Sequence, residues 1–175
     1  MRNNVDIRPF HILVLVALIL LLFTGVADVT SQEDGRTFST WEDFEVDKCA
    51  SIWLIKRFID KEAKIAFFPK GTRITEGIPF DVPEATIRRY HNMSTFESLL
   101  KSYLIRDAKL HTIGKIVHDA EINTWERKAF EETSSVQLAV LRIIEESTST
   151  ADVVERSCEY FDGFYEKISR SDKAP

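Results

Sequence analysis

Polar and apolar positions change their spacing along the chain, and each change predicts a different element. The stretch "DKCASIWLIKRFID" has apolar residues three and four positions apart, which predicts a largely buried helix capped by Asp47. The short apolar run "KIAFFP" ends at a proline and predicts a strand. The stretch "ATIRRYH" runs through Ile87 and the aliphatic stems of Arg88 and Arg89 to Tyr90, and this alternation predicts a second strand.

The second half of the chain has helical spacing almost throughout. "STFESLLKSYL" carries a capping box, with Ser94 as the cap and Glu97 three residues later. Three further amphipathic stretches predict helices, namely residues 107–122, "SSVQLAVLRIIEES", and a last one through residues 153–165. The pattern therefore predicts an α+β fold, a mostly α-helical single domain with about five helices and two short strands.

The N-terminus has a different pattern. Two arginines precede an unbroken apolar run at residues 12–23, which is shorter than the roughly 20 residues that a membrane-spanning helix needs. Small residues follow at Gly25 and Ala27, and this layout predicts a secretory signal in residues 1–27. A retained signal anchor in residues 12–26 is the alternative.

This interpretation places the protein outside the cytoplasm. We expect an exported protein, periplasmic or otherwise extracytoplasmic, which contacts a membrane only through an uncleaved N-terminal segment. The polar, aperiodic residues 28–40 are interpreted as a linker, and the folded domain is predicted to occupy residues 41–170.

Composition and charge exclude several functions. The net charge of −5 is spread along the chain without a basic patch, which argues against nucleic-acid binding. No GxSxG motif and no glycine-rich phosphate loop is present, so hydrolase and nucleotide-binding functions are poorly supported. Cys49 and Cys158 form no CxxC motif, and they are either a disulfide of an oxidising compartment or two buried free thiols.

The stretch "KIVHDAEINTW" contains the clearest candidate chemistry. His118 and Glu121 are three positions apart on a predicted helix, so they share a face and could provide two metal ligands. A transition-metal site needs three or four ligands. The others would come from a small group of residues: His91, Glu97, Asp81, Asp119 and His111. A purely structural interpretation makes His118 a packed core residue, Glu97 a capping acid and Asp119 part of a solvated face.

Four stretches of the chain resemble, in the same order, the C-terminal domain of the ChrB-type chromate resistance proteins. They are "DKCASIWLIKRFID", "EGIPFDVPEA", "HNMSTFESLL" and "IVHDAE", and the resemblance runs from Asp47 to about Tyr165. The family commonly has Cys-Pro before the tryptophan, where this chain has Ser51 and Ile52, so this chain departs from the family in having no thiol at that position. The resemblance implies a regulator or accessory protein of chromate resistance rather than the pump itself.

The resemblance also narrows the candidate site. It implies metal ligation by His91, Glu97, His118 and Glu121, where the family more often has Asp at the last position. Mixed imidazole and carboxylate ligands suit a divalent transition metal such as Zn, Mn or Fe, in a catalytic or a sensory role.

The alternative is a non-enzymatic module that binds or senses a metal or a chromate-like oxyanion. The donors to an oxyanion would be four cationic residues, Lys48, Arg57, Arg88 and Arg89. These side chains are equally explained as surface residues with their stems packed on apolar neighbours.

Overall fold

A computed structural model describes residues 35–123 and 127–168 of the chain. The predicted signal or anchor and residues 28–34 of the predicted linker lie outside this part. Within it, three strands and five α-helices follow one another: β1 (Thr37–Trp41), α1 (Val46–Leu54), β2 (Lys64–Phe68), β3 (Ile78–Pro79), α2 (Thr95–Ser102), α3 (Ala108–Glu121), α4 (Glu132–Glu146) and α5 (Thr150–Lys167). The α+β, mostly helical fold predicted from the sequence is confirmed.

The three strands form a small parallel sheet in the order β2, β1, β3. The central strand β1 pairs with β2 from Thr37 opposite Lys64 to Trp41 opposite Phe68. It takes up residues 37–40, which the sequence pattern assigned to the linker. Phe38, Ser39 and Thr40 are all fully buried, because a central parallel strand is covered on both faces and need not alternate in polarity.

The second predicted strand, over residues 85–91, is wrong. This segment is a loop with isolated bridges, in which Phe80 pairs with Ile87 and Tyr90 pairs with Met93. Arg88 and Arg89 use their guanidinium groups in polar contacts rather than packing their stems in a sheet, so the apparent alternation in this stretch has no partner strand.

Helix α1 is the centre of the core, and every one of its residues is buried. Trp53 stacks between Phe96 of α2 and Phe161 of α5, with ring centroids 6.4 and 5.6 Å away, and its Nε1 donates a hydrogen bond of 2.7 Å to Asp162. The helix continues as one π-helical turn over Ile55–Ile59. None of the helices in the described part is both long and apolar enough to cross a membrane.

Both cysteines are buried free thiols, Cys49 on α1 and Cys158 on α5. Burial raises the pKa of Cys49 to about 12 and raises that of Cys158 as well. Because the thiolate is the reactive form, neither side chain is suited to nucleophilic chemistry near neutral pH.

Asp119 is 3% exposed, so its interpretation as part of a solvated face is wrong. Its Oδ2 accepts hydrogen bonds from the Ala129 amide at 2.8 Å, the Phe130 amide at 3.2 Å and the Thr133 hydroxyl at 2.6 Å. The carboxylate thus ties α3 to the start of α4. Burial alone would raise its pKa, but the bonds from Thr133, Asn123 and the two amides outweigh burial and lower it to about 2.

Candidate functional site

Asp47 anchors a polar cleft between the N-terminal turns of α1 and α2. It is fully buried, and its carboxylate accepts hydrogen bonds from the amides of Thr95 at 2.7 Å and Phe96 at 2.9 Å. The sequence predicted Asp47 as the cap of its own helix, but the cap position is two residues earlier, at Glu45, and Asp47 lies within the first turn of α1. Asp47 therefore neutralises free amides of the neighbouring helix, where a negative charge is favourable.

Two more carboxylates converge on Asp47. Glu45, Asp47 and Asp81 each offer an oxygen atom within 4.8 Å of the oxygens offered by the other two. Asp81 is held in the left-handed backbone region, with φ of 52°, and accepts a hydrogen bond from the Thr95 hydroxyl. Among the described His, Cys, Asp and Glu residues, no other group of three or more brings its donor atoms within this distance.

Two cations balance part of this negative charge. The Arg89 guanidinium contacts Glu45, lies 3.4 Å from Asp47 Oδ2 and lies 3.3 Å from Glu121 Oε2. Lys48 is 2% exposed and donates to the Trp41 carbonyl at 3.0 Å. Its Nζ also pairs with Asp43 and lies 3.5 Å from Asp81.

The pKa values of the three carboxyl groups indicate that Arg89 and Lys48 balance only part of their negative charge. Burial and then the charge of Glu121 raise the pKa of Glu45 to about 8, against the opposing effect of Arg89. Burial and then Asp81 raise the pKa of Asp47 to about 6, although the amides of Phe96 and Thr95 oppose the shift. Burial raises the pKa of Asp81 too. The site therefore disfavours three simultaneous negative charges unless a further cation is supplied.

The cleft opens into a cavity of about 340 Å³ with charged walls. Lys48, Arg88 and Arg89, three of the four cations predicted to bind an oxyanion, line this cavity together with Asp43, Glu45 and Asp81. Arg88 donates to the Pro83 carbonyl at 2.7 Å and stacks over the Tyr90 ring. Arg57 is not among the lining residues and pairs with Asp162 at 3.0 Å.

His118 and Glu97, two of the four predicted metal ligands, are in direct contact. His118 Nδ1 lies 2.8 Å from Glu97 Oε2, and the same oxygen accepts the Ser94 amide at 2.8 Å as part of the predicted capping box, which is confirmed. Because a carboxylate only accepts, Nδ1 carries the proton and a neutral His118 keeps the lone pair of Nε2. Glu97 is both a capping acid and the group that orients the imidazole.

The other two predicted ligands lie apart from this pair. Glu121 accepts the Val46 amide at 3.2 Å and pairs with Arg89, so it borders the carboxylate group. His91 is exposed in the loop before α2 and makes no hydrogen bond or ion pair with a described residue. The four side chains do not form a group of donor atoms within 4.8 Å of one another in the described structure, and their joint ligation stays a prediction.

Sequence reasoning missed Glu45 and Asp47 as site residues, and it named Asp81 only as an alternative. The available signal was the pair of acids flanking Val46 at the start of a buried helix, where one of them suffices as a cap. No spacing rule connects that pair to Asp81, because the contact depends on how α1, α2 and the intervening loop pack.

A comparison with protein-family models identifies the family of the chain. Residues 38–168 match the model of the ChrB C-terminal domain, three quarters of the chain. The chain belongs to the ChrB family. The ChrB match includes β1 from its second residue onward and all five helices of the described part, and with them every residue of the carboxylate group.

A curated ChrB relative is also similar to this chain. Protein ChrB of Cupriavidus metallidurans (strain ATCC 43123 / DSM 2839 / NBRC 102507 / CH34) is 31% identical over 94 residues, which is 53% of this chain and 29% of the relative. The aligned part thus spans less than a third of the relative's length. No solved structure matches the chain.

Proposed function

We propose that the chain serves chromate resistance as an accessory protein that binds a divalent cation through Glu45, Asp47 and Asp81. Membership of the ChrB family connects the chain to chromate resistance, and cation binding is the specific part of the proposal. The observation that carries it is the convergence of three carboxylate oxygens within 4.8 Å of one another. Three ligands from a preformed cleft are what a coordinated ion requires, with solvent or substrate completing the shell.

The balance of charge around the cleft supports a cation. The ion pairs join five carboxylates, those of Asp43, Glu45, Asp47, Asp81 and Glu121, to three cations, Lys48, Lys70 and Arg89. When all five carboxyl groups are ionised, this network carries two more negative than positive charges, the charge that one divalent ion supplies. Burial, followed by repulsion from Glu121 at Glu45 and from Asp81 at Asp47, raises the pKa values of these two carboxyls, and a bound cation would oppose that shift.

The ligand chemistry favours a hard ion. All three donors are carboxylate oxygens, which suit Mn²⁺ or Mg²⁺ better than the softer metals that prefer thiolate or imidazole. Among the metals predicted from the sequence, Mn²⁺ fits this set best. When bound, such an ion would act as a Lewis acid on an oxygen-bearing ligand in the cavity.

The oxyanion alternative has one specific observation in its favour, which is that Lys48, Arg88 and Arg89 line the same cavity. Two of these cations already contact carboxylates, and Asp43, Glu45 and Asp81 lie on the same walls. A dianion would meet both signs of charge at close range. The cation proposal is therefore the stronger of the two.

Manganese titration tests the proposal. We expect the chelator-treated full-length chain to bind one Mn²⁺ at pH 8. Binding is measured by the decrease in the electron paramagnetic resonance signal of the free ion. The variant Glu45→Gln/Asp81→Asn removes two ligands and should weaken binding by ~100-fold or more. High pH is chosen because protons compete for carboxyls with raised pKa values.

Two controls make this titration decisive. Glu155→Gln/Glu166→Gln removes the same charge from exposed positions of α5 and should leave binding unchanged. His118→Ala should bind as the parent does, whereas loss of binding in this variant alone would shift the site to the predicted His118 ligand set. No uptake by the folded parent, or equal uptake by the double variant, rejects the proposal.

A further inference from the structure

The turn after α2 places a leucine where glycine is normally found. The amide of Leu104 donates to the Lys101 carbonyl at 3.3 Å, and the amide of Ile105 donates to the Leu100 carbonyl at 3.0 Å. This pair of bonds is a Schellman motif, whose first residue beyond the cap is usually glycine because it adopts a left-handed backbone. Leu104 has φ of 53°, a conformation that is unfavourable for a residue with a side chain.

The Leu104 side chain does not offset the cost of this conformation by burial. The Leu104 side chain is 79% exposed, more than any other exposed large apolar residue of the described part. The side chain therefore gains almost nothing from burial. Glycine would adopt the left-handed backbone at this position without the steric cost that leucine has. The side chain is therefore accessible to a ligand from solvent.

A cavity of about 470 Å³ lies beside Leu104, between the end of α2 and the first half of α3. Its apolar lining includes Leu100 and Ile105, and three cations also line it, Lys101, Arg106 and Lys115. We call these six residues, with Leu104 included, the Leu104 pocket. The charged side-chain groups of these three cations make no hydrogen bond or ion pair with another described residue.

The charge of this pocket differs from that of the rest of the molecule. The chain has a net charge of −5, yet Lys101, Arg106 and Lys115 lie together without carboxylate partners. Glu97 also lines the cavity, but its carboxylate accepts from the Ser94 amide and contacts His118. The pocket thus combines an apolar surface with uncompensated positive charge, which is the complement of an acidic ligand with an apolar side chain.

We propose that the Leu104 pocket binds an acidic peptide segment of a partner protein, with an apolar side chain of the partner seated against Leu100, Leu104 and Ile105. The concave shape favours a ligand that inserts a side chain over a flat lipid surface. The apolar lining favours a peptide over a small inorganic anion, which would contact the cations alone. This site is separate from the carboxylate group and does not depend on cation binding there.

A labelled peptide is a direct probe of the pocket. We expect the full-length chain to bind fluorescein-Gly-Glu-Asp-Leu-Glu-Glu-Leu-Asp-Gly in an anisotropy titration at 50 mM NaCl. The analogue in which Gln and Asn replace the acids should bind at least ~10-fold more weakly. The variant Lys101→Gln/Lys115→Gln should weaken binding of the acidic peptide by ~10-fold. Lys61→Gln/Lys167→Gln, which removes the same charge from two other exposed positions, should not change it.

Two variants of Leu104 distinguish a binding role of this side chain from a structural one. Leu104→Gly should raise the Tm by about 2 °C because it relieves the left-handed backbone, while it weakens peptide binding by ~5-fold. Leu104→Ala should weaken binding equally without this gain in Tm. Absence of binding by the folded parent, equal binding of the neutral analogue, or unchanged binding by the Leu104 variants overturns the proposal. Binding only to phosphatidylglycerol vesicles overturns it in favour of a membrane contact.

Discussion

Replacing Asp119 by alanine is expected to lower the free energy of unfolding at pH 7 by about 3 kcal/mol. The change removes the acceptor of the Ala129 and Phe130 amides and of the Thr133 hydroxyl, and the fully buried Thr133 cannot turn to water. Because this carboxylate links α3 to the start of α4, its loss weakens the connection between the two helices. Urea denaturation followed by tryptophan fluorescence measures the effect.

The pH dependence of the unfolding free energy tests whether the charge of Asp119 causes this stabilisation. The pKa of Asp119 is lowered from 3.8 to about 2 in the folded chain, so its contribution is fully present above pH 4 and is lost as the pH falls through 2. The difference between parent and Asp119→Ala should shrink over that window, and Asp119→Asn should lie between them at pH 7. A loss below about 1 kcal/mol for the alanine variant would contradict the role assigned to Asp119.

Arg89→Gln is expected to lower the unfolding free energy of the metal-free chain by about 2 kcal/mol and to strengthen Mn²⁺ binding by ~10-fold. Arg89 contacts Glu45, Asp47 and Glu121, so its removal leaves these carboxylates without their principal counter-charge. The same removal eliminates a competitor for the ion. Thermal unfolding with and without added Mn²⁺ measures both effects, and the ion should restore most of the lost stability.

This variant also separates the two candidate functions. If the cavity holds an oxyanion, the loss of Arg89 should reduce binding of that anion and give Mn²⁺ no advantage. Arg57→Gln is the matched control, because Arg57 pairs with Asp162 and does not line the cavity. Weaker Mn²⁺ binding by Arg89→Gln than by the parent would contradict the cation proposal.

The helices could be predicted from the sequence because their signals are local. The capping box of Ser94 and Glu97 and the apolar stripes of α3 and α5 depend on residues three or four apart. Strand β1 could not be recognised, since Ser39 and Thr40 make it look polar although both side chains are fully buried. The false strand at residues 85–91 arose in the same way, from an alternation that no neighbouring strand supports.

The candidate site was only partly predictable for a related reason. The contact between His118 and Glu97 joins two positions that the sequence had marked, one by its helical spacing and the other by its capping box. Glu45, Asp47 and Asp81 come from the start of α1 and from a loop more than thirty residues later, and only tertiary packing brings them together. Asp47 shows most clearly why the sequence alone was insufficient, because a role as a helix cap explained this residue without reference to any distant one.

The position of a bound ion tests the central claim most directly. Crystals of the full-length chain grown with MnCl₂ should give one anomalous difference peak per chain, with oxygens of Glu45, Asp47 and Asp81 at about 2.2 Å from it. A peak bonded instead to His118 Nε2, or no peak at either position in crystals that contain the ion elsewhere, would contradict the carboxylate site.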